Sequence, residues 1–440
     1  MMKFNSKIEE AADLLADIGV LLMSSGANSP RVKRSIKRIA SALNYDIETF
    51  YTPTVVMLNV IDKNTGERFN IIKNVDHMKV NFDIVSEISI LSWKITEKSI
   101  PIEDIRKSIE SIRKIPSYKD WVIWGMIGVA TATLCRNFGG DWTQVGITFT
   151  AASLAIIIRQ VFHKKQVNHF ICWLIGSFST VAIILILGII LGVKDINASL
   201  TASVLWLIPG IPLINAFIDI LGGHVISGSV RSIMGTMLVF MIAIGFFMAL
   251  YIFKHPIEIT RPIDNVDLLE KIFLSGFVSL GFAILFVTPV RALWAVWLLG
   301  AIGYATKFLL LEGYSPFGIE PLLEGQLVTT TAIGAGVVGI LSIYFAHRVH
   351  TPPVVFSIPA VINMIPGKMG YEFMFGVIKI ISMDEIDPTN IIIFETLTKG
   401  LKTGFMCFGL AFGIAMPILL LKSQSVKGKD LHKLIMRNRK

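Results

Sequence analysis

The apolar positions change rhythm along this chain. Between residues 5 and 25, Ile8, Ala11, Leu15, Ile18 and Leu22 recur at helical spacing, which predicts an amphipathic helix. Gly26 closes it, since glycine tolerates the left-handed turn past a helix end. Ser29 and Pro30 open a second helix, with Ser29 as N-cap and Pro30 at the first helical position. Val32, Ile36, Ile39 and Leu43 form its apolar stripe. Lys33, Arg34, Lys37 and Arg38 cover the other side, which reads as a solvated face rather than a lipid or nucleic-acid contact. Residues 53–61 read as a strand, 62–66 as a turn and 67–73 as a returning strand. Helical patterns follow over roughly 76–94 and 101–115. The predicted order is α-α-β-β-α-α, a small α+β domain over residues 1–118. Two strands are not stable alone. The domain is therefore expected to pack on its own helices, on the rest of the chain, or on a second copy in a homo-oligomer.

Beyond residue 118 the apolar runs become long enough to cross a bilayer, which takes about 20 residues. Ten spans are predicted, over roughly 121–138, 142–162, 169–192, 198–221, 232–253, 271–288, 293–311, 326–346, 353–381 and 403–421. Residues 391–402 read as interfacial, with Glu395 and Lys399 paired one turn apart. With the N-terminal domain inside, the inner loops hold Lys164, Lys165, Arg231, Arg291 and Arg348, and seven more Lys and Arg follow Leu421. The outer loops are acidic, with Asp141, Asp195, Glu258, Glu320 and Asp384 among others, although Lys194, Lys254 and Arg261 dissent. That bias predicts a multi-pass protein of the cytoplasmic membrane with both termini in the cytoplasm.

Composition supports this division. Of 440 residues 53% are hydrophobic and only 17% charged, which excludes a simple soluble enzyme. Residues 1–118 carry 17 Lys and Arg against 15 Asp and Glu, an ordinary soluble density. Cys135, Cys172 and Cys407 lie in apolar runs without metal-ligand spacing and read as packed side chains. No phosphate loop, dinucleotide fingerprint, zinc spacing or nucleophile–base arrangement appears. Neither enzyme activity, a cofactor nor a metal is expected, and the basic excess beside apolar segments reads as membrane-topology charge rather than a nucleic-acid footprint, with membrane lipid and no nucleic acid as the expected partners.

Prolines carry the next inference. The fourth span contains Ile208-Pro209-Gly210-Ile211-Pro212, and the ninth contains Pro359 and Ile365-Pro366-Gly367. A proline inside a helix lacks a donor and clashes with the carbonyl four residues back. Pro209 and Pro212 should free the carbonyls of Leu205 and Ile208, and Pro359 and Pro366 those of Val355 and Ile362. Such groups are costly in lipid, so the breaks should face protein or water. They fall at the fourth place of two successive sets of five spans, 119–253 and 254–421, with a basic tail at 422–440. Five is odd, so the sets would enter from opposite sides. Paired broken helices at matching places point to the central site of a transporter built from inverted repeats.

The half-helices after Pro209-Gly210 and Pro366-Gly367 would aim their N-termini at that site, which favours a carboxylate. Asn215, Asn363 and Tyr371 are candidate substrate contacts. Asp219 and Glu372 are candidates for a substrate ammonium or a coupling proton. Asp219 lies about 14 Å beyond its break and Glu372 about 8 Å beyond its own. Asp219 therefore sits near the cytoplasmic mouth with His224 and Arg231, where a solvated acid is the alternative reading. Lys368 is placed to pair with Glu372 at i, i+4. Arg136, Arg159 and Lys307 read as snorkelling from span ends. The small-residue stretches Thr148–Ser153 and Thr329–Gly339 read as close helix-packing faces.

With these residues in view the chain resembles the threonine/serine exporter family over nearly its full length. The words that carry the resemblance are Leu21-Leu22-Met23-Ser24-Ser25-Gly26-Ala27 with Arg31-Val32, then Ile208–Asn215, Asp219, Gly223-His224 and Arg231, and finally Ile365-Pro366-Gly367 with Tyr371. The resemblance implies an inner-membrane exporter of small hydrophilic amino acids, driven by the proton-motive force. Relatives split into two chains are associated with succinate export, which leaves a C4-dicarboxylate open as the substrate. It also singles out the N-terminal motif Ser25, Gly26, Asn28 and Arg31. Family members usually carry acids where this chain has Asn28 and Lys33, so a gating or assembly role is expected for the motif rather than hydrolysis.

Overall fold

The computed structural model describes residues 6–75, 79–98, 100–193, 195–203, 205–254, 266–314, 316, 318–381 and 391–420; within its helices the side chains of Lys368, Tyr371, Ile378, Ile381, Ile418 and Leu419 lie outside the description. The chain opens with α1 (Lys7–Ser24) and α2 (Ser29–Ala42). Ile8, Leu15, Ile18 and Leu22 of α1 are buried, as their spacing requires. A three-stranded antiparallel sheet follows in the order β1 (Tyr45–Thr52), β2 (Val55–Asp62) and β3 (Arg68–Asn74). Val56, Leu58 and Val60 of β2 point inward against α1. Gly19 brings α1 so close to α2 and β2 that a Cβ there would sit 3.0 Å from both Ile36 and Val56. Asp13 of α1 receives Lys73 from β3 and Arg106 from α4 (Ile102–Arg113). Helix α3 (Phe82–Glu97) precedes α4 and lies along α2.

Two expectations need correction here. The sheet has three strands, not two. β1 was hidden because Asp46, Glu48 and Thr49 interrupt its apolar alternation; pairing with β2 from Tyr45↔Asp62 to Thr52↔Val55 supplies what its composition does not. Asn28, not Ser29, caps α2: its side chain accepts from the Arg31 amide at 3.1 Å. Ser29 is the first helical residue and is used elsewhere.

The remaining helices are α5 (Asp120–Asn137), α6 (Trp142–Lys164), α7 (His169–Ile190), α8 (Asn197–Ser203), α9 (Gly210–Leu221), α10 (Val225–Ile252), α11 (Leu268–Leu285), α12 (Val290–Glu312), α13 (Leu327–Val349), α14 (Pro353–Val361), α15 (Gly367–Ile381) and α16 (Ile391–Leu420). Among the described residues seven helices are long and apolar enough to cross a membrane: α6, α7, α10, α11, α12, α13 and α16. The bent pair α8–α9 makes eight if it counts as one span. Every predicted span contains a helix or a helix pair, but α5 and α14–α15 fall short of that test, so ten crossings are not established by length and composition. Residues 391–402 are no separate interfacial segment, because α16 runs through them without a break.

Neighbours repeat along the bundle. α5 packs on α6, α6 on α7, α7 on α10 and α10 on α9. In the second set α11 packs on α12, α12 on α13, α13 on α16 and α16 on α15. Small residues set the close crossings. A Cβ on Gly281 of α11 would lie 2.6 Å from Ala130 of α5, and Gly339 of α13 faces the Gly413 carbonyl of α16. Arg136, in the last turn of α5, joins that helix to α11 through Glu270 at 2.7 Å.

Candidate functional site

Both predicted breaks are present, and their backbones match. In the first, α8 gives way to a 3₁₀ turn over Leu205–Leu207, then Ile208-Pro209, then α9, with a bend of 54° between the two parts. In the second, α14 gives way to a 3₁₀ turn over Ile362–Met364, then Ile365-Pro366, then α15. The Ile208 amide donates to the Leu205 carbonyl at 3.2 Å, and the Ile365 amide to that of Ile362 at 3.1 Å. The Gly210 amide donates to Ile208 and the Gly367 amide to Ile365, both at 2.7 Å. The Leu213 amide reaches the Pro209 carbonyl and the Gly370 amide that of Pro366. The carbonyls of Leu205, Ile208 and Ile362 expected to be freed are thus satisfied locally. Pro359 does not break its helix, because α14 continues past it to Val361. Pro212 sits in the first turn of α9, where its missing donor costs nothing.

The two breaks face one another. A Cβ on Gly210 would sit 3.3 Å from Ile365 and 3.5 Å from Ile362. A Cβ on Gly367 would collide with Leu205 and lie 2.8 Å from Ile208. Each Pro-Gly turn is thus received by the isoleucines or leucine of the other, and the flanking Leu205, Trp206, Leu207, Ile362 and Met364 are buried. Asn363 ties the second break to its neighbours, donating to the carbonyls of Gly300 at 3.1 Å and Ser275 at 3.3 Å.

Beyond the first break, α9 turns Asn215 and Asp219 to one buried face, where they meet the corner between α1 and α2. The Ser29 amide donates to Asp219 Oδ1 at 2.7 Å, and the Ser29 hydroxyl to Oδ2 at 2.9 Å. Ser227 of α10 donates to Oδ2 at 3.0 Å, and Arg231 Nε lies 3.0 Å from that same oxygen. Arg231 also donates to the Ala27 carbonyl, and Asn215 Nδ2 to that of Gly26, both at 2.9 Å. Asp219 and Asn215 are fully buried and Arg231 is 2% exposed. Asp219 is therefore no solvated mouth acid; it caps the N-terminus of α2 from another part of the chain, where the helix dipole favours an anion. Gly26 is at φ +88°, the left-handed turn its identity forecast. Gly222 packs against Pro30, and the His224 amide donates to the Asp219 carbonyl at 2.8 Å. Burial pushes the His224 imidazole pKa down, Lys33 adds to that, and Asp219 opposes it. Among the described residues Asn215 Oδ1 and Arg231 Nη1 are buried without a hydrogen-bond partner, as is Asn363 Oδ1 at the second break.

The N-terminal domain also grips the α11–α12 turn. The amides of Phe82 and Asp83 donate to the carbonyls of Phe286 and Val287, both at 2.9 Å, and Arg291 pairs with Glu87 at 3.0 Å. The motif residues divide: the Ser25 carbonyl accepts from Asn81, Gly26 and Asn28 shape the corner, and Arg31 turns away to donate to Ser89.

The structure does not bring Glu372 to this joint. Glu372 pairs with Lys399 of α16 at 3.2 Å, so Lys399 is engaged there rather than with Glu395 as its spacing suggested. The side chains of Lys368 and Tyr371 lie outside the described residues. Sequence reasoning missed Ser29 and Ser227 as ligands of Asp219. It also placed Arg159 and Lys307 at span ends, whereas Arg159 lies 5.0 Å from the Trp173 ring and 5.2 Å from the Trp206 ring, and Lys307 is only 7% exposed. For Ser227 a signal existed, one helical turn before Arg231.

Apolar helices interrupted at two facing Pro-Gly turns are the construction of a membrane transporter. Comparison with known families agrees. Residues 13–253 match the family described as "Putative threonine/serine exporter", and residues 271–420 match "Threonine/Serine exporter, ThrE". The chain belongs to the threonine/serine exporter family. It is 23% identical to a "Threonine/serine exporter" of Corynebacterium glutamicum over 84% of this chain and 76% of that protein. It is 27% identical to a "Probable succinate transporter subunit YjjP" of Klebsiella aerogenes over 54% of this chain and 92% of that protein. The Escherichia coli K12 protein of the same name is 26% identical over 54% of this chain and 93% of its own length. No solved structure matches.

Proposed function

We propose that this protein is a secondary exporter of small hydrophilic amino acids of the threonine and serine type across the cytoplasmic membrane. The observation that carries the reading is the pair of breaks, alike in backbone and packed on each other. In this reading the chain crosses ten times, as two five-helix halves of opposite orientation, with both termini in the cytoplasm. The N-termini of α9 and α15 then meet between the halves and attract the substrate carboxylate. Leu205, Ile208, Ile362 and Ile365 close the contact between the breaks, so the arrangement is a shut one that must part to admit substrate. The orphan oxygens of Asn215 and Asn363 are suited to an ammonium or hydroxyl. Glu372, held by Lys399, is suited to a coupling proton. The N-terminal domain, joined to α9 by Asp219 and to the α11–α12 turn by α3, acts as a cytoplasmic gate across both halves.

The test is efflux. Cells lacking the protein and loaded with threonine-containing dipeptides should retain threonine, and purified protein in liposomes should move serine along a pH gradient. Unchanged retention together with no serine flux would overturn the reading. A C4-dicarboxylate is the second reading, favoured by the likeness to the proteins named as succinate transporter subunits. Displacement of labelled serine by succinate in the same liposomes would support it.

A further inference from the structure

Arg159 and Lys307 occupy matching places. Each lies on the second helix of its set of five, both helices have 23 residues, and each cation stands five residues before the helix end. Each also continues its helix's buried face. Ala152, Ala155 and Ile156 lead to Arg159, and Leu299, Gly303 and Tyr304 lead to Lys307. Both approach the break of their own set. The Arg159 guanidinium lies over the ring of Trp206, in the first 3₁₀ turn. The Lys307 stem packs at Gly334, which also meets the Gly303 carbonyl and Met364 of the second 3₁₀ turn.

Neither cation has a hydrogen-bond or ion-pair partner among the described residues. A charge placed inside a bundle, turned away from lipid and without a directly bonded counter-ion, is costly, and its retention marks a functional contact; Glu312, at the end of the same helix, acts on Lys307 from beyond ion-pair distance. Each is about 8 Å from its helix end. In the topology proposed above those ends lie on opposite sides of the membrane.

We propose that Arg159 and Lys307 are two stations for the carboxylate of the transported solute, one flanking the breaks on the cytoplasmic side and the other on the outer side, occupied in turn as the solute passes. This rests on the transporter reading. Arg159 offers a planar fork and Lys307 a point charge, and either makes a charge-assisted hydrogen bond to a carboxylate.

The experiment is sided flux of labelled serine in liposomes of uniformly oriented full-length protein, comparing wild type with Arg159→Gln, Arg159→Lys, Lys307→Gln and Lys307→Arg. Arg159→Gln should raise KM about tenfold for serine offered from the cytoplasmic face and little from the other, and Lys307→Gln should do the reverse, the size of one charge-assisted contact. The Lys and Arg replacements should recover most of the loss. An amino alcohol without a carboxylate should not inhibit wild type. Equal KM values from both faces in both Gln variants, or an equal fall in maximal rate from both faces, overturns the proposal while wild-type flux keeps the transporter reading intact. Absence of wild-type flux for serine and succinate alike overturns both. Should a Gln variant not fold, serine should slow modification of the Lys307 amine of wild-type protein by an amine-reactive reagent, read by peptide mass; no protection overturns the proposal.

Discussion

The two breaks share a backbone but not a setting. At each, a 3₁₀ turn, an Ile-Pro-Gly step and a fresh helix follow with the same hydrogen bonds. Past the first break, α9 is wired through Asn215 and Asp219 into the N-terminal domain. Past the second, α15 carries Glu372, which is held within its own set by Lys399. The lesson is that the hinge chemistry is common while the restraint on each hinge is separate. The first half-helix is latched from outside the bundle, the second from within it.

The most damaging way to break this comparison is to remove the latch. Asp219→Ala should leave Arg231 buried without its counter-charge and strip α2 of its anionic cap, at about 3–5 kcal/mol for an uncompensated buried charge. Residues 1–118 should become protease-sensitive, and the thermal midpoint in detergent should fall. Asp219→Ala with Arg231→Met should recover part of that loss. Normal protease resistance in the single variant would show the latch to be immaterial.

A smaller asymmetry lies in the turns themselves. Gly367→Ala should cost about 1–3 kcal/mol by overpacking against Leu205, whereas Gly210→Ala meets only side-chain ends of Ile365 and Ile362 and should cost less. Leu205→Ala should cost less when added to the first variant than when added to the second, because it relieves the crowding at Gly367 while leaving a cavity in both. Equal melting shifts for the two glycine variants would contradict the packing.

The smallest effect sharpens the contrast from the other side. Lys399→Gln should lower stability by about 1–2 kcal/mol, because it removes a partner from Glu372 but leaves other helices in place. The docking of residues 1–118 should be unchanged, as read by the same proteolysis. Release of the domain by this variant would mean that the two restraints are coupled.

How much of this could be read beforehand differs by element. Helix α1 was legible because Ile8, Leu15, Ile18 and Leu22 repeat at its period, and both breaks were legible because proline removes a donor wherever it stands. β1 was not, since Tyr45–Thr52 alternates weakly and becomes a strand by pairing. The local rule that joined Glu395 to Lys399 failed because Glu372 of a neighbouring helix approaches closer. Asp219 was noticed, but its partner Ser29 stands 190 residues earlier.

Local chain chemistry therefore sets where helices run, where two of them must break, and that a polar N-terminal domain precedes an apolar bundle. Periodicity, proline geometry and hydropathy act within a few residues of chain. Packing across the fold is what seats the breaks against each other, brings Asp219 to cap α2 from afar, and turns Arg159 and Lys307 inward. Those outcomes depend on which faces meet across the fold. Burial makes each such meeting strong enough to override the local preference of any one residue.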